Sequence, residues 1–265
     1  MIETTQTRGR ATPESLERVE VLGVPIDALD MRTTVARCLQ LVESGTPSRH
    51  VSVNAAKLAS SSRDENLAGF IRGSDVISAD GQSVVWAARL LGRPVPERVA
   101  GIDLMHELIE AAQRRGLSVY LLGARPEVLG RAVARLRELY PRLRLAGWRD
   151  GYFSPEEEES VVEGIRAARP DLLFVAMSSP LKEAWLDRNL DRSRVRFAMG
   201  VGGALDVLAG ERSRAPAWMQ RAGLEWLHRM GQEPGRMWRR YLLGNVRFAW
   251  LVLRERLGFT RGSGS

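Results

Sequence analysis

The sequence contains a single cysteine, Cys38, among 265 residues. One thiol forms no intrachain disulfide and provides no cysteine cluster for a zinc or iron–sulfur site. The sequence also contains no uncharged apolar run of about 18 residues, the length that an α-helix needs to cross a bilayer. A secretory signal pattern is missing as well. These absences predict a cytoplasmic protein and restrict any membrane contact to a peripheral one.

Lysine is nearly absent, because Lys57 and Lys182 are the only two, so arginine carries almost all of the positive charge. The net charge is +7, and the apolar and charged fractions of 44% and 27% are those of a globular protein. Guanidinium groups bind planar, bidentate partners such as phosphate, which favours anionic ligands. A coding bias toward arginine would give the same composition, so the positions of the charges are more informative than their number.

Short apolar strands alternate with helical patterns of about 10–15 residues along most of the chain. This alternation predicts an α/β fold with a mostly parallel sheet flanked by helices. Small or polar residues stand where the predicted strands end, at Asn54, Asp80, Gly123, Ser178 and Gly200. Such residues let a ligand approach the backbone, and the helix N-termini that follow favour phosphate, so a nucleoside diphosphate suits this edge. The GxGxxG fingerprint of dinucleotide-binding folds follows neither the first strand nor Gly200.

Two of these strand ends carry side chains that suit catalysis. Asp80 follows the apolar run Val76–Ala79 and precedes Gly81, so it is either a catalytic carboxylate or part of an Asp-Gly turn. Asn54 similarly either contacts a substrate or only caps the helix that follows it. The residues alone leave both alternatives open.

The composition changes after residue 210. The segment 211–258 contains ten arginines, four acidic residues and four of the seven tryptophans. Arginine interleaved with tryptophan and leucine is typical of an interfacial helix on an anionic membrane, and an ordinary terminal helical pair is the alternative. The sequence therefore predicts a disordered leader (1–18), a catalytic domain (19–210), a helical C-terminal appendage that contacts the membrane (211–258) and a flexible tail (259–265).

Several short motifs occur in order along the chain. They are Val53-Asn54-Ala55, Ala79-Asp80-Gly81, Arg98-Val99-Ala100-Gly101-Ile102-Asp103-Leu104, Leu121-Leu122-Gly123-Ala124, Asp150-Gly151-Tyr152-Phe153, Gly200-Val201-Gly202-Gly203, Arg214-Ala215-Pro216-Ala217-Trp218, Gly223-Leu224-Glu225-Trp226-Leu227, Glu233-Pro234 and Arg240-Tyr241. Each motif alone is weak, whereas the ordered set is specific. On these motifs the chain, from about Val19 to Leu257, resembles the WecG/TagA/CpsF family of bacterial glycosyltransferases.

The resemblance implies an inverting, metal-independent transferase with a Rossmann-like core and no cofactor. Enzymes of this family add a sugar from a nucleotide donor, here most simply a UDP-sugar, to a polyprenyl-diphosphate-linked saccharide. The resemblance makes Asp80 the general base that deprotonates the acceptor hydroxyl. It places Asn54, Ser52 and Arg98 in the same pocket, with Arg98 near the departing diphosphate. Arginines of the appendage would add further positive charge there, namely Arg236, Arg239 and Arg240.

The remaining expected substrate-binding residues are Gly123, Ala124, Asp150, Ser178, Ser179, Lys182, Gly200 and Gly203. Lys182 departs from the family, which usually has glutamine at that position and glycine at the position of Ser178. Lysine accepts no hydrogen bond, so this change affects which donor sugar binds. The candidate donor sugars are N-acetylmannosamine, glucose and related hexoses. Lys182 would pair with a diphosphate or a sugar carboxylate, or remain a solvated helix residue.

Two other functional classes are compatible with parts of the sequence. A Rossmann-type oxidoreductase or methyltransferase would use the same strand ends. A non-enzymatic adaptor would bind RNA or anionic lipid through 211–258, but it leaves Asp80 and Asn54 unexplained. We expect a glycosyltransferase that does not bind nucleic acid and that works at the inner face of the cell membrane in cell-surface or exopolysaccharide synthesis. The sequence leaves homo-oligomer formation open.

Overall fold

The computed structural model describes residues 17–232 and 234–258. Within these ranges, side chains are described except those of Ala217, Arg221, Arg229 and residues 234–243. The predicted leader therefore falls almost entirely outside the described residues, and the predicted tail 259–265 falls wholly outside them.

The centre of the fold is a six-stranded sheet in which every neighbouring pair of strands is parallel. A separate antiparallel hairpin precedes it. The strands are β1 (Arg18–Val21), β2 (Val24–Asp27), β3 (Ser48–Val53), β4 (Val76–Ala79), β5 (Ser118–Gly123), β6 (Arg144–Arg149), β7 (Leu172–Ala176) and β8 (Phe197–Gly200). The sheet order is β4-β3-β8-β7-β5-β6. This arrangement confirms the predicted α/β fold and its Rossmann-like character.

Helices connect the strands and cover both faces of the sheet, and a 3₁₀ turn at Pro155–Glu157 precedes one of them. They are α1 (Met31–Ser44), α2 (Ala55–Ser61), α3 (Glu65–Arg72), α4 (Gln82–Leu90), α5 (Gly101–Arg115), α6 (Pro126–Leu139), α7 (Glu158–Ala168), α8 (Leu181–Ser193), α9 (Ala204–Leu208), α10 (Ala217–Arg221), α11 (Glu225–Gln232) and α12 (Pro234–Arg256). Two apolar clusters fill the space between sheet and helices. The central strands β5 and β7 are buried along their whole length, as parallel strands covered on both faces must be.

Strand β6 is an element that the sequence did not reveal. It is one of the two edge strands, and its residues are only partly buried or exposed, so it lacks the continuous apolar run of the central strands. Arg144 and Trp148 are exposed on it.

The C-terminal helices pack on the rest of the chain through α12. Phe248 and Val252 are buried in one of the core clusters. Glu255 accepts a hydrogen bond from the backbone nitrogen of Leu22 at 2.9 Å and forms an ion pair with Arg93. Arg247 donates to the hydroxyl of Ser62 at 3.0 Å, which joins α12 to the end of α2. Among the described residues, no helix is long and apolar enough to span a bilayer.

Candidate active site

A cleft of about 1190 Å³ opens at the carboxyl ends of the parallel strands. Eight of the residues expected at the site line it, namely Ser52, Asn54, Asp80, Ser178, Ser179, Lys182, Gly200 and Gly203. They come from four neighbouring strands, β4, β3, β8 and β7, from the loops after them and, for Lys182, from the first turn of α8. Ligands bind at this edge of open α/β sheets, and the volume exceeds that of most small-molecule sites. The cleft therefore has room for a nucleotide sugar together with part of an acceptor.

Asp80 is held at the end of β4 by backbone hydrogen bonds. Its own nitrogen donates to the carbonyl of Val53 at 2.8 Å, which fixes it beside the neighbouring strand β3. The nitrogen of Val99 donates to the carbonyl of Ala79 at 2.9 Å and brings the start of α5 to the same place. The side chain of Asp80 is only partly buried. The carboxylate is therefore fixed at a strand end and accessible from the cleft.

Gly101, the first residue of α5, lies against both Asp80 and Ser52. A β-carbon at Gly101 would lie 2.9 Å from Ser52 Oγ and 3.4 Å from Asp80 Oδ2. The hydroxyl oxygen of Ser52 is buried, and it has no hydrogen-bond partner among the side chains and backbone that the structure describes. A buried hydroxyl without a partner carries a free-energy cost that a bound ligand removes. Ser52 and Asp80 therefore lie on either side of the first residue of α5, and both line the cleft.

Asn54 performs the capping role that the sequence allowed. Its Oδ1 accepts a hydrogen bond from the backbone nitrogen of Lys57 at 2.9 Å and closes the N-terminus of α2. The side chain also lines the cleft. The cap uses one of the two lone pairs of the amide oxygen, so the other lone pair and the amide N–H groups remain for a substrate contact.

Lys57, Glu183 and Lys182 form a buried charged group in the cleft wall, which we call the lysine cluster. Each lysine Nζ lies 2.8 Å from Glu183 Oε1. The side chains of Lys57, Lys182 and Glu183 are 9%, 10% and 3% exposed. Burial raises the pKa of the Glu183 carboxyl, but the charges of Lys57 and Lys182 outweigh it and lower that pKa to about 2. Glu183 is therefore ionised, and the interpretation of Lys182 as a solvated residue is wrong.

Arg98 occupies a different position from the one expected. It forms ion pairs with Glu225 of α11 and, at 3.9 Å, with Asp103 of α5. Glu225 lines the cleft, whereas Arg98 is not among the lining residues. These two carboxylates of the protein therefore occupy part of the Arg98 guanidinium. In this arrangement Arg98 connects α11 to the start of α5.

Gly123, Ala124 and Asp150 also lie outside the lining residues, and each has a structural role. Gly123 packs so closely on β7 that a β-carbon there would lie 2.5 Å from the carbonyl oxygen of Ala176. Ala124 has a left-handed backbone, with φ of 61°, and its nitrogen donates to that same carbonyl at 2.9 Å. Asp150 Oδ1 accepts from the nitrogen of Tyr152 at 2.9 Å in a tight turn. Their assignment to substrate contact stays a prediction that this arrangement does not support.

The three appendage arginines lie on α12, but the side chains of Arg236, Arg239 and Arg240 are outside the described residues. Their contact with a diphosphate stays a prediction. Other arginines line the cleft. Arg212 and Arg247 belong to the appendage whose arginines were expected to supply positive charge, whereas sequence reasoning missed Arg63 and Arg125. Nothing in their local sequence distinguishes them from the other arginines of the chain.

Uncapped helix N-termini add further positive potential. Helices α5 and α8 begin at the cleft without a side-chain cap, so their first backbone N–H groups lack the usual side-chain acceptor. Gly101 and Ile102 of α5 line the cleft, as do Leu181 and Lys182 of α8. Such N–H groups bind anions, and the helix dipole favours negative charge there.

Comparison with known proteins decides between the functional classes. The model of the family described as "Glycosyl transferase WecG/TagA/CpsF family" matches residues 19–262. The chain belongs to this family. It is therefore a glycosyltransferase, and family membership excludes the oxidoreductase, methyltransferase and adaptor hypotheses.

A curated relative supports the same assignment. The chain is 33% identical over 193 residues to the N-acetylglucosaminyldiphosphoundecaprenol N-acetyl-beta-D-mannosaminyltransferase of Bacillus subtilis (strain 168). The match covers 73% of this glycosyltransferase and 74% of the relative.

The buried His50 predicts a loss of stability in mild acid. Burial and the nearby Lys57 charge lower the pKa of His50 to about 3 from an ordinary 6.5. Between these pKa values the unfolded chain binds a proton that the folded chain does not, so stability is full above pH 6.5 and falls as the pH decreases. We expect a free energy of unfolding about 2 kcal/mol lower at pH 5 than at pH 7 from this group.

Urea denaturation across pH 7 to 5 measures the effect. His50→Gln, which cannot titrate, should show a shallower decrease than the wild type. Equal slopes for the two proteins would show that His50 does not control stability in this range.

Proposed function

We propose that this glycosyltransferase moves a sugar from a nucleoside-diphosphate donor, a UDP-sugar, to a polyprenyl-diphosphate-linked saccharide. The observation that carries the proposal is that Asp80 and the unpartnered Ser52 hydroxyl both lie beside Gly101 and line a large cleft that several basic side chains also line. The relative from Bacillus subtilis is named for an acceptor of this kind, which supports the choice of acceptor. The product would be a precursor of a cell-surface polysaccharide.

The reaction is a displacement at the anomeric carbon. Asp80 accepts the proton of the acceptor hydroxyl as that oxygen forms a bond to the anomeric carbon. The bond between the anomeric carbon and the diphosphate oxygen breaks, and the nucleoside diphosphate leaves with the electron pair. Attack from the side opposite the leaving group inverts the configuration. Ser52 and Asn54 orient the sugar or the acceptor beside Asp80.

The leaving diphosphate requires positive charge that is already in place. Basic side chains and the N-termini of α5 and α8 supply it in the cleft. We therefore propose that turnover is independent of a divalent metal ion.

Transfer from a panel of UDP-sugars to a polyprenyl-diphosphate-linked N-acetylglucosamine tests the function, with and without a chelator. The panel includes N-acetylmannosamine, glucose and related hexoses as donors. A lipid product of increased mass, formed in both conditions, supports the proposal. If the donor is consumed without any lipid product, the proposed polyprenyl-linked acceptor is wrong. If the chelator abolishes the product, the proposed metal independence is wrong.

We also propose that α12 attaches the enzyme to an anionic membrane at the cytoplasmic face. Four apolar side chains, Val246, Trp250, Leu253 and Leu257, are each more than half exposed. Their spacing of four, three and four residues places the first three on one face of α12, opposite the buried Phe248 and Val252. Leu257 directly follows α12 and continues this face, since its nitrogen donates to the carbonyl of Leu253 at 3.0 Å. We call these four side chains the apolar stripe.

Positive charge lies next to the apolar stripe. The guanidinium of Arg254 lies 5.1 Å from the centre of the Trp250 ring, and Arg256 is exposed in the same turn. An exposed apolar face flanked by arginine is typical of helices that lie in the headgroup region of anionic bilayers.

Replacing two residues of the apolar stripe tests this attachment. We expect Trp250→Glu combined with Leu253→Glu to lose most binding to vesicles that contain anionic lipid, because both changes remove apolar area and add negative charge. Vesicle sedimentation measures the bound fraction. Trp148→Glu, on the exposed edge strand β6, is the matched control and should bind as the wild type does. Equal binding by all three proteins would contradict the proposal.

A further inference from the structure

Strands β3 and β4 carry polar side chains inside the fold, on the face that meets the start of α5. Ser52 of β3 pairs in register with Ser78 of β4, and His50 lies two residues before Ser52 on the same face. The opposite face of the same segments is wholly apolar, with Val51, Val53, Ile77 and Ala79. The polar side chains are therefore confined to the face on which Asp80 follows Ser78 two residues later.

His50 and Ser78 are joined by a buried hydrogen bond. Nε2 of His50 lies 2.9 Å from Ser78 Oγ, and the two residues are 1% and 3% exposed. The ring is neutral at pH 7, because burial and the nearby Lys57 charge lower its pKa to about 3. The single proton of the Ser78 hydroxyl is donated to the carbonyl of Val99 at 3.5 Å, so Nε2 of the ring supplies the proton of the shorter contact.

Val99 is held by β4 through both of its backbone polar groups. Its carbonyl accepts from the Ser78 hydroxyl, and its nitrogen donates to the carbonyl of Ala79 at 2.9 Å. Val99 directly precedes Ala100 and Gly101, where α5 begins without a side-chain cap. A capping side chain commonly fixes the start of a helix. Here the anchored backbone of Val99 does so instead, and His50 and Ser78 complete that anchor.

The start of α5 leaves little tolerance for movement. A β-carbon at Gly101 would lie 2.9 Å from Ser52 Oγ and 3.4 Å from Asp80 Oδ2. The φ of Gly101 is not in the left-handed region, so its backbone does not require glycine, and alanine is the better helix former. The close approach to Ser52 and Asp80 is what requires glycine. A displacement of about 1 Å at a site of this kind is enough to slow a reaction strongly.

Stability alone does not explain the polar face. His50 Nδ1 and Ser52 Oγ are both buried, and neither has a hydrogen-bond partner among the described residues. Buried polar atoms without partners cost free energy, and apolar side chains of similar shape would avoid that cost. Buried hydrogen-bonded groups, in contrast, restrict the surrounding structure to one arrangement. The polar face therefore favours accurate placement over stability.

We propose that His50 and Ser78 are positioning residues for the transfer reaction, which hold the start of α5 against Ser52 and Asp80. Neither residue lines the cleft, so they act on the site through Val99 and Gly101. The inference rests on the proposed function for its effect on turnover, whereas its effect on α5 is measured without a substrate.

Amide hydrogen exchange of the full chain, read by mass spectrometry, tests the positioning of α5. We expect Ser78→Ala and His50→Leu to exchange about three- to tenfold faster in residues 98–104, because the Val99 carbonyl loses its anchor. His50→Gln keeps an N–H group near the position of Nε2 and should exchange nearly as the wild type does. Ser48→Ala is the matched control, since Ser48 is equally buried at the other end of β3 and donates to the carbonyl of Thr46 at 2.9 Å.

Sugar transfer by the same variants tests the effect on the reaction. The turnover number should fall about 10- to 100-fold in Ser78→Ala and in His50→Leu, with affinity for UDP within about threefold of the wild type. The two changes combined should cost no more than the larger single loss, because both residues act through one hydrogen bond. We expect His50→Gln to keep most of its turnover, and Ser48→Ala to turn over normally.

The two measurements separate this inference from the proposed function. If Ser78→Ala and His50→Leu match Ser48→Ala in exchange at residues 98–104, or in turnover, the inference is overturned. A wild type that transfers no sugar, with exchange at residues 98–104 that still depends on His50 and Ser78, would refute the proposed function and support the positioning of α5.

Discussion

Asp80→Asn should reduce the turnover number by about 10²- to 10⁴-fold, the range that a positioned general base contributes. Asparagine has nearly the same shape, so the backbone bond from residue 80 to Val53 and the packing beside Gly101 remain. The amide cannot accept the proton of the acceptor hydroxyl, so the loss falls on the chemical step. Single-turnover transfer from the donor to a lipid-linked acceptor measures it.

Donor binding separates this loss from a general disturbance of the cleft. We expect Asp80→Asn to bind UDP within about threefold of the wild type, because the base faces the acceptor hydroxyl and not the nucleotide. Asp191→Asn, on the exposed surface of α8, is the control and should turn over normally. Near-normal turnover by Asp80→Asn would remove Asp80 from the role of base.

Glu183→Gln should lower the free energy of unfolding by about 3–5 kcal/mol, the usual result of removing one partner from a buried ion pair. The substitution leaves two ammonium groups, each of which was 2.8 Å from the lost oxygen, facing each other in a site that is nearly closed to water. Chemical denaturation at pH 7 measures the change.

Two further variants show whether charge is the cause. Adding Lys182→Gln to Glu183→Gln removes one of the two repelling charges, so the double variant should be more stable than Glu183→Gln alone. Asp187→Asn breaks an ion pair on the exposed side of the same helix and should cost less than about 1 kcal/mol. If Glu183→Gln is as stable as Asp187→Asn, the lysine cluster does not contribute to folding in the way described.

The strand ends could be predicted from the sequence because the signal there is local. An apolar run that stops at a small or polar residue identifies a buried strand and the side chain at its carboxyl end. This reasoning found Asn54 and Asp80, whereas Ser52 was expected only from the family resemblance, and parallel pairing then brings all three to one edge. Strand β6 was not predicted because a half-exposed edge strand contains no such apolar run.

The lysine cluster could not be predicted from local patterns. Lys57 and Glu183 are far apart in the sequence. Their helices, α2 and α8, follow the strands β3 and β7, and these two strands are brought close only because both pair with β8 in the sheet. One signal was present, since both lysines of an arginine-rich chain fall next to predicted strand ends. The contact of Gly101 with Ser52 and Asp80 is likewise a product of tertiary packing.

Glycine and arginine were the residues whose roles the sequence described least well. A glycine at a strand end permits either a ligand or another strand to approach, and at Gly123 the neighbour is the backbone of Ala176. An arginine near the site contacts either a ligand or a carboxylate of the protein, and Arg98 contacts Glu225. Both distinctions depend on the neighbours that folding supplies.

Mass spectrometry of the lipid product tests the central claim most directly. The wild type and Asp80→Asn would be incubated with a mixed pool of nucleotide sugars and polyprenyl-diphosphate-linked N-acetylglucosamine. Our account predicts that the wild type adds one hexose or N-acetylhexosamine to the acceptor and releases a nucleoside diphosphate, while Asp80→Asn forms little product in the same time. An acceptor of unchanged mass with the wild type, or equal product with both proteins, would contradict it.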